Sequence, residues 1–337
     1  MKKLSIVDIA NHLNISKTTV SFILNGRAQE KRISEELVER VQKFIKEVGY
    51  RPNETARGLR TGKSNIIGLM VESISDPFFA TIARLIENKA YKNGYKIIYC
   101  STDNDTQKTK DLIQVFRERS VDGYIISPPE GVDEEINELV KSGIPVVMFD
   151  RHLPKAKADY VEIDNEYSAF NATGHLIGKG YRNIAFVTFS SAQTQMQGRL
   201  KGYKAALKGS GLKAYVMEID YNPDDAKMIS AIKDFFSRHK NLDAVLFGAI
   251  QAGVCGLKAM KELDLHVPSN LAVISFDDHD VFELFSPPIT AIEQPIEEIA
   301  ENVIDVLLQR LNFPDREFKA KSIVLKTKLK IRSSLDK

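Results

Sequence analysis

From residue 65 onward the chain repeats one pattern: a short run of apolar residues, then a helix with a single apolar stripe. The runs fall at 66–71, 97–100, 123–126, 145–149, 184–189, 244–247 and 271–276. Uninterrupted apolar runs of this length suit strands covered on both faces, as in a parallel sheet. Segments such as 79–93 and 106–117 carry the helical stripe and fill the gaps. The order is therefore strand, helix, strand, which builds a βαβ series. The series occurs twice, on either side of about residue 163. This predicts an α/β core of two similar lobes of parallel sheet. Ligands of such sheets bind outside the carboxyl ends of the strands, so the crevice between the lobes is the expected site.

The first 50 residues read differently. Ser5 can cap a helix over 5–13, with Asp8 three residues on completing a capping box. Ile6, Ile9, Ala10 and Leu13 make its apolar stripe. Asn14-Ile15 is a turn, and Ser16 caps a second helix that runs to about Leu24, with Val20 and Leu24 inward. Asn25-Gly26 stops it. Ser34 caps a third helix with Leu37, Val38, Val41, Phe44, Ile45 and Val48 inward, and Gly49 ends it. Residues 50–63 (YRPNETARGLRTGK) read as a linker. Asn53 can cap a short helix over 54–60 there. Gly58 weakens that helix by roughly a kcal/mol relative to Ala, so it orders only when something packs on it.

Charge divides along the same line. Residues 1–63 hold 13 Lys/Arg against 7 Asp/Glu, whereas the rest hold 34 against 38. No acid occurs between Asp8 and Glu30. A basic module for a polyanion, attached to a neutral-to-acidic body, is the expected arrangement. At 43% hydrophobic and 27% charged residues in 337, the chain is neither disordered nor a coiled-coil rod. Its longest uncharged apolar stretch, 244–257, has 14 residues, short of the roughly 20 that a membrane span needs. The N-terminus meets Asp8 and Asn11 before any apolar core can form, so no secretory signal is expected. Cys100 and Cys255 lie far apart in apolar contexts. No disulfide framework is expected, and a cytoplasmic location fits.

Signals for catalysis are poor. GLRTGKS falls one residue short of a phosphate loop, because three residues rather than four separate Gly58 from Gly62, and it precedes the strand it should follow. No G-x-G-x-x-G follows a strand and no G-x-S-x-G occurs. The six histidines, at 12, 152, 175, 239, 266 and 279, show no metal spacing. No catalytic residue, metal or cofactor is assigned. The helical pair at 5–25 is more specific. A helix-turn-helix needs a small residue at the crossing, an apolar turn residue and a buried residue in the second helix. Ala10, Ile15 and Val20 fill those positions. The second helix then presents Lys17, Thr18 and Phe22 to a major groove.

The string SIVDIANHLNISKTTVSFILNG, its spacing to IKEVGYRPNETARGLRTGKSNIIGLMV, and the two α/β lobes together resemble the lactose/galactose repressor (LacI/GalR) family of bacterial transcription regulators. The resemblance covers nearly the whole chain. It implies a DNA-reading head, a hinge helix and a periplasmic-binding-protein-like core that senses a small molecule, usually a sugar or nucleoside. It extends the DNA-contacting set to Ser16, Thr19, Ser21 and Asn25, and in the hinge to Arg51, Asn53, Ala56 and Leu59. Leu59 would be the wedge that paired hinge helices push into the minor groove. In the core, Phe78 and Phe79 of the Asp76-Pro77-Phe78-Phe79 segment, Asp150, Arg199 and Asp277 match the family's effector site. Aromatic faces would cover the C–H face of a sugar ring, Asp would accept from hydroxyls and Arg would donate.

Three positions depart from the family. Phe22 stands where Arg is common, and Phe cannot read guanine bidentately. Val7 replaces a phosphate-binding Tyr. Ile250-Gln251 replaces Asn-Asp, removing part of the usual hydroxyl clamp. The expected division is a head at 1–50, a hinge or linker at 51–63, a first lobe at 64–162 with 293–321, and a second at 163–292 with 322–332, the last strand spanning 323–331. The expected function is a homodimeric repressor on a pseudo-palindromic double-stranded DNA operator, controlled by a sugar-like effector between the lobes. The alternatives are a cytoplasmic sugar-handling enzyme with a helical appendage, or a regulator whose core binds a protein.

Overall fold

The computed structural model describes residues 4–50, 63–220, 224–313 and 319–336. The hinge helix expected at 54–60, with Arg51, Asn53, Ala56 and Leu59, lies outside the described residues. The chain divides into two compact units, one ending at Asn65 and one beginning at Ile66.

Among its described residues the N-terminal unit holds three helices, α1 (Ile6–Leu13), α2 (Lys17–Leu24) and α3 (Glu35–Glu47). Each starts at a serine. Ser5 and Asp8 form the capping box, with the Ser5 amide donating to Asp8 Oδ2 at 2.7 Å. Ser16 Oγ accepts from the Thr19 amide at 3.0 Å, and Ser34 accepts from Leu37. Asn14 takes the left-handed backbone that ends α1, a conformation Asn tolerates well. The core is small: Ile9, Ala10, Val20, Ile23 and Val41 are buried. Leu24 packs against this core half-buried, as expected, and Ile23, three positions after Val20 on the same face, joins it fully buried.

The second unit contains two six-stranded sheets. Sheet one runs β2 (Lys96–Ser101), β1 (Ile66–Val71), β3 (Gly123–Ile126), β4 (Val146–Phe149), β5 (Asp159–Ile163) and β11 (Ser322–Leu325), all parallel. Sheet two runs β7 (Tyr215–Ile219), β6 (Ile184–Phe189), β8 (Ala244–Phe247), β9 (Ala272–Phe276), β10 (Thr290–Glu293) and β12 (Lys328–Lys330). Only β12, antiparallel to β10, breaks its parallel order. Helices α4 (Pro77–Lys92), α5 (Thr106–Glu118), α6 (Asp133–Lys141) and α12 (Ile296–Asn312) belong to the first lobe. Helices α7 (Asn165–Gly178), α8 (Thr194–Gly209), α9 (Asp225–Arg238), α10 (Ile250–Glu262) and the short α11 (Asp280–Leu284) belong to the second. The central strands β3, β4, β8 and β9 are buried at every position, as two covered faces require.

The expectation of one last strand over 323–331, all in the second lobe, is corrected. The chain breaks after Leu325, so β11 joins the first lobe beside β5 and β12 joins the second beside β10. A buried ion pair holds the first of these. Asp159 accepts both Arg310 Nε and Nη2 at 2.9 Å and the Lys321 amide at 2.7 Å. These bonds tie β5 to α12 and the start of β11.

Candidate functional site

In the head, helix α2 buries Val20 and Ile23 and leaves Lys17 and Thr18 exposed. Ser16 and Thr19 are exposed and half-buried, and share a hydroxyl–hydroxyl bond of 2.8 Å at the helix start. Asn25 closes the far end, its Nδ2 donating to the Ser21 carbonyl at 2.6 Å. With Phe22, the seven expected DNA-contacting positions of the head thus lie along one short helix and its two caps. Phe22 differs from expectation: it is half-buried rather than presented freely. The Arg27 guanidinium lies 5.9 Å and the Lys31 ammonium 5.5 Å from its ring centroid. The ring sheds water against those cations and holds them beside α2. Arg27 and Lys31 flank Glu30 at 2.6 and 3.2 Å, and these bonds pull its carboxyl down to about 2. Neither cation was singled out from the sequence, since they follow the helix stop at Gly26.

The second site lies at the carboxyl ends of the strands, between the two sheets, in a cavity of about 850 Å³. Phe78, Phe79, Asp150, Arg199 and Asp277 all line it. Asp76 starts α4, its Oδ1 accepting from the Phe78 amide at 2.8 Å, and Pro77 occupies the first turn, where its missing N–H costs nothing. This cap aims the two phenylalanines. Phe79 is buried edge-on against Phe149, ring centroids 6.0 Å apart, and Phe78 packs edge-on against Phe79 at 5.1 Å with one side open to the cavity.

Asp150 follows β4 and Asp277 follows β9, one per lobe. Both take the left-handed backbone, φ +68° and +65°, the turn that swings each carboxylate off its strand end into the cavity. Asp150 is buried with weak partners: Ser127 Oγ at 3.5 Å and Arg151 Nε at 3.7 Å. Burial pushes its carboxyl up to about 6, against the pull of Arg151 and Arg199. Arg199 lies in the second turn of α8. It stacks 4.0 Å over Phe276, donates to Asn165 Oδ1 at 2.9 Å and to the Gly248 carbonyl at 2.8 Å, and stands 3.9 Å from Asp277. Its partners fix the guanidinium in one place, which is what orienting a ligand requires. Asp277 is held in turn by the Gln294 amide.

Several cavity residues escaped the sequence reading. Arg151 donates to Glu72 at 2.8 Å and to Gln193 at 2.7 Å. Gln193 also reaches Asn104 at 3.2 Å, so one side chain of the second lobe joins two loops of the first. Such contacts across 40 to 90 positions leave no local pattern in a sequence. Phe189, Met196, Ala249 and Ile250 add apolar surface to the lining. Gln251 turns to Asp225 at 3.4 Å. Among the described residues no cluster could hold a metal, and no helix is long and apolar enough to cross a membrane.

Comparisons with known proteins agree with this geometry. Residues 5–53 match the lacI family of bacterial regulatory proteins, and residues 173–335 match the periplasmic binding protein-like domain. Catabolite control protein A of Priestia megaterium is 31% identical over 312 residues, 91% of this chain and 92% of that protein. A periplasmic binding protein/LacI transcriptional regulator from Alkaliphilus metalliredigens QYMF, solved with D-xylulofuranose, is 28% identical with a TM-score of 0.71, over 80% of this chain and 98% of its own. The lac repressor dimer bound to operator and the anti-inducer ONPF shares the fold, with a TM-score of 0.85 over 99% of both chains at 20% identity. The helix-turn-helix head, the two parallel-sheet lobes and these relatives converge: the chain belongs to the lacI family of bacterial regulatory proteins and is a DNA-binding transcriptional regulator.

Proposed function

We propose that the chain works in the cytoplasm as a homodimer. Two heads read the half-sites of a pseudo-palindromic operator in successive major grooves. Lys17, Thr18 and Phe22 choose the sequence, with Ser16, Thr19, Ser21 and Asn25 beside them. Arg51, Asn53, Ala56 and Leu59 of the hinge add affinity and bend. A small hydroxylated effector sits between the lobes, with Phe78 and Phe79 against its apolar face and Asp150, Arg199 and Asp277 on its polar groups. The single observation that carries this reading is the pairing of Asp150 and Asp277, equivalent strand-end carboxylates from opposite lobes facing one cavity. A ligand that touches both binds the closed lobes better than the open ones, which is the differential affinity a switch requires. The D-xylulofuranose bound to the Alkaliphilus regulator supports a polyol of that size.

The test is a thermal-shift screen of the full chain against sugars and nucleosides. A ligand at 100 times its Kd adds about 2.7 kcal/mol of stability. Arg199→Ala should then lose the response to the hit while operator binding persists. A normal response in Arg199→Ala would overturn the site.

A further inference from the structure

The effector cleft holds more negative charge than its own cations cancel. Asp76, Asp150 and Glu72 face it from the first lobe, Asp277 and Asp278 from the second. The cations of the lining are already engaged. Arg151 donates to Glu72 at 2.8 Å. Lys330 lies 3.0 Å from Asp278 and 3.1 Å from Glu293. Arg199 gives its Nε hydrogen to Asn165 and one Nη1 hydrogen to Gly248, stands 3.9 Å from Asp277, and keeps its other hydrogens for ligand hydroxyls. Asp76 has the backbone amides of Phe78 and Phe79 but no cation, and its charged neighbours are Asp277 and Glu72, both acids. Asp150 has its nearest cation at 3.7 Å.

A second observation points to an absent ligand. Arg151 and Gln195 are only 2% and 3% exposed, yet among the described residues Arg151 Nε and Gln195 Oε1 have no hydrogen-bond partner, and both side chains line the cleft. Buried polar atoms are left unpaired only at a cost, so a bound group that both accepts and donates is expected there. Phe78 turns its open side to the same space, next to Asp76. A carboxylate beside an aromatic face is the surrounding that an ammonium group finds favourable.

We propose that the effector carries a protonated amine, as an amino sugar or amino polyol does, seated between Asp76 and Asp150 of one lobe and Asp277 of the other. The proposal rests on the effector cleft described above and names the ligand class that fits it. A cleft lined mostly by one sign of charge concentrates ligands of the opposite sign. A sugar phosphate or a sugar acid would meet Asp76 and Asp277 as like charges. A neutral polyol would leave three carboxylates facing one another as the lobes close.

The amine has a pH signature. Asp150 is faced by Arg151 beside it, Arg199 of α8, Glu72 after β1 and Asp277 after β9, and burial holds its carboxyl up at about 6. An arriving ammonium draws that value down, so binding releases a proton. Affinity for an amine therefore rises as pH rises through about 6. A neutral polyol that accepts a bond from protonated Asp150 would show the opposite slope.

The experiment measures the binding of D-glucose and D-glucosamine, D-galactose and D-galactosamine, D-mannose and D-mannosamine, and a glucose phosphate to the full chain. It is run by calorimetry and thermal shift at about pH 5.5 and about pH 7.5. At the higher pH an amino sugar is expected to bind at least about tenfold tighter than its neutral partner. That advantage should shrink at the lower pH, and the phosphate should not bind. In Asp76→Asn the ratio should fall towards one, and the pH profile of the unaltered chain carries the test if that variant fails to fold. A neutral sugar binding as tightly as its amine, with a flat or falling pH profile, overturns the amine and leaves the effector cleft standing. No binding by any of these sugars overturns the amine, and the cleft itself falls if no sugar or nucleoside of the wider screen binds either.

Discussion

Asp150 is a residue where function and stability pull apart. Its carboxyl is held at about 6 because burial outweighs the nearby guanidinium groups. A carboxyl whose pKa is raised on folding binds protons more tightly in the native state. Its contribution therefore favours folding at low pH and is lost as pH climbs from about 4 through about 6. At neutral pH the charged form is a liability in the empty cleft. Asp150→Asn should thus raise the stability of the ligand-free chain at about pH 7.5, by roughly 1–3 kcal/mol. The gain should vanish below about pH 5, and effector response should be lost with it. Urea unfolding at a series of pH values checks this. A variant less stable than the parent at neutral pH would mean that Arg151 and Arg199 need the Asp150 charge more than burial opposes it. Phe22 makes a second residue-scale point. Its side chain was legible as a departure from the family, but not its place beneath Arg27 and Lys31, because that contact depends on the turn after Gly26.

At the scale of elements, helix starts were the most legible features, since one serine with a free hydroxyl decides each. Ser16→Ala should cost the head about 1 kcal/mol by leaving the Thr19 amide unbonded. Operator affinity should fall with it, while the melting of the core stays where it is. Equal head stability in Ser16→Ala, followed by hydrogen exchange of α2, would show that Lys17 and Thr18 are held by something other than this cap. The fully covered strands were legible for the same kind of reason: β3, β4, β8 and β9 are apolar throughout. Strand β5 was not, because Asp159 and Glu162 interrupt its run and Asp159 is buried only by virtue of Arg310, 151 positions away. The pair β11 and β12 was illegible too. Nothing in SIVLKTKLK marks Lys326-Thr327 as the point where the chain leaves one sheet for the other. Gly202 is the opposite case, a residue whose local reading misleads. Ala is the better helix former by about 1 kcal/mol. Yet a Cβ at Gly202 would stand 2.0 Å from the Glu166 carbonyl oxygen of α7, which is backbone and has nowhere to go. Packing wins, and Gly202→Ala should destabilise the core by about 1–3 kcal/mol as α7 and α8 are pushed apart. An increase in stability by urea unfolding would show that the two helices separate freely.

At the scale of the whole core, the two lobes are joined by three passages of chain, at 163–165, 293–296 and 325–328. Short connections of this kind let one lobe turn against the other, so the closed arrangement must be held by contacts at the mouth. Gln193 supplies the most economical of these. Its Oε1 accepts from Arg151 at 2.7 Å and its Nε2 donates to Asn104 at 3.2 Å, while the neighbouring Thr194 hydroxyl bridges to His152 at 3.4 Å. These two bonds join the lobes and neither caps the helix, while within the second lobe Gln193 Oε1 also accepts from Gln195 Nε2 at 3.1 Å. Two such bonds contribute on the order of 1–2 kcal/mol to closure. An effector that binds only the closed lobes loses that amount from its affinity when the bonds are gone. Gln193→Ala should therefore bind the effector about tenfold more weakly. Without effector its core should scatter X-rays as a larger particle, and saturating effector should restore the parent's radius of gyration. The two readouts separate closure from direct contact. A weaker affinity with an unchanged radius would make Gln193 a ligand contact, and an unchanged affinity with a larger radius would show that lobe closure and effector binding are uncoupled.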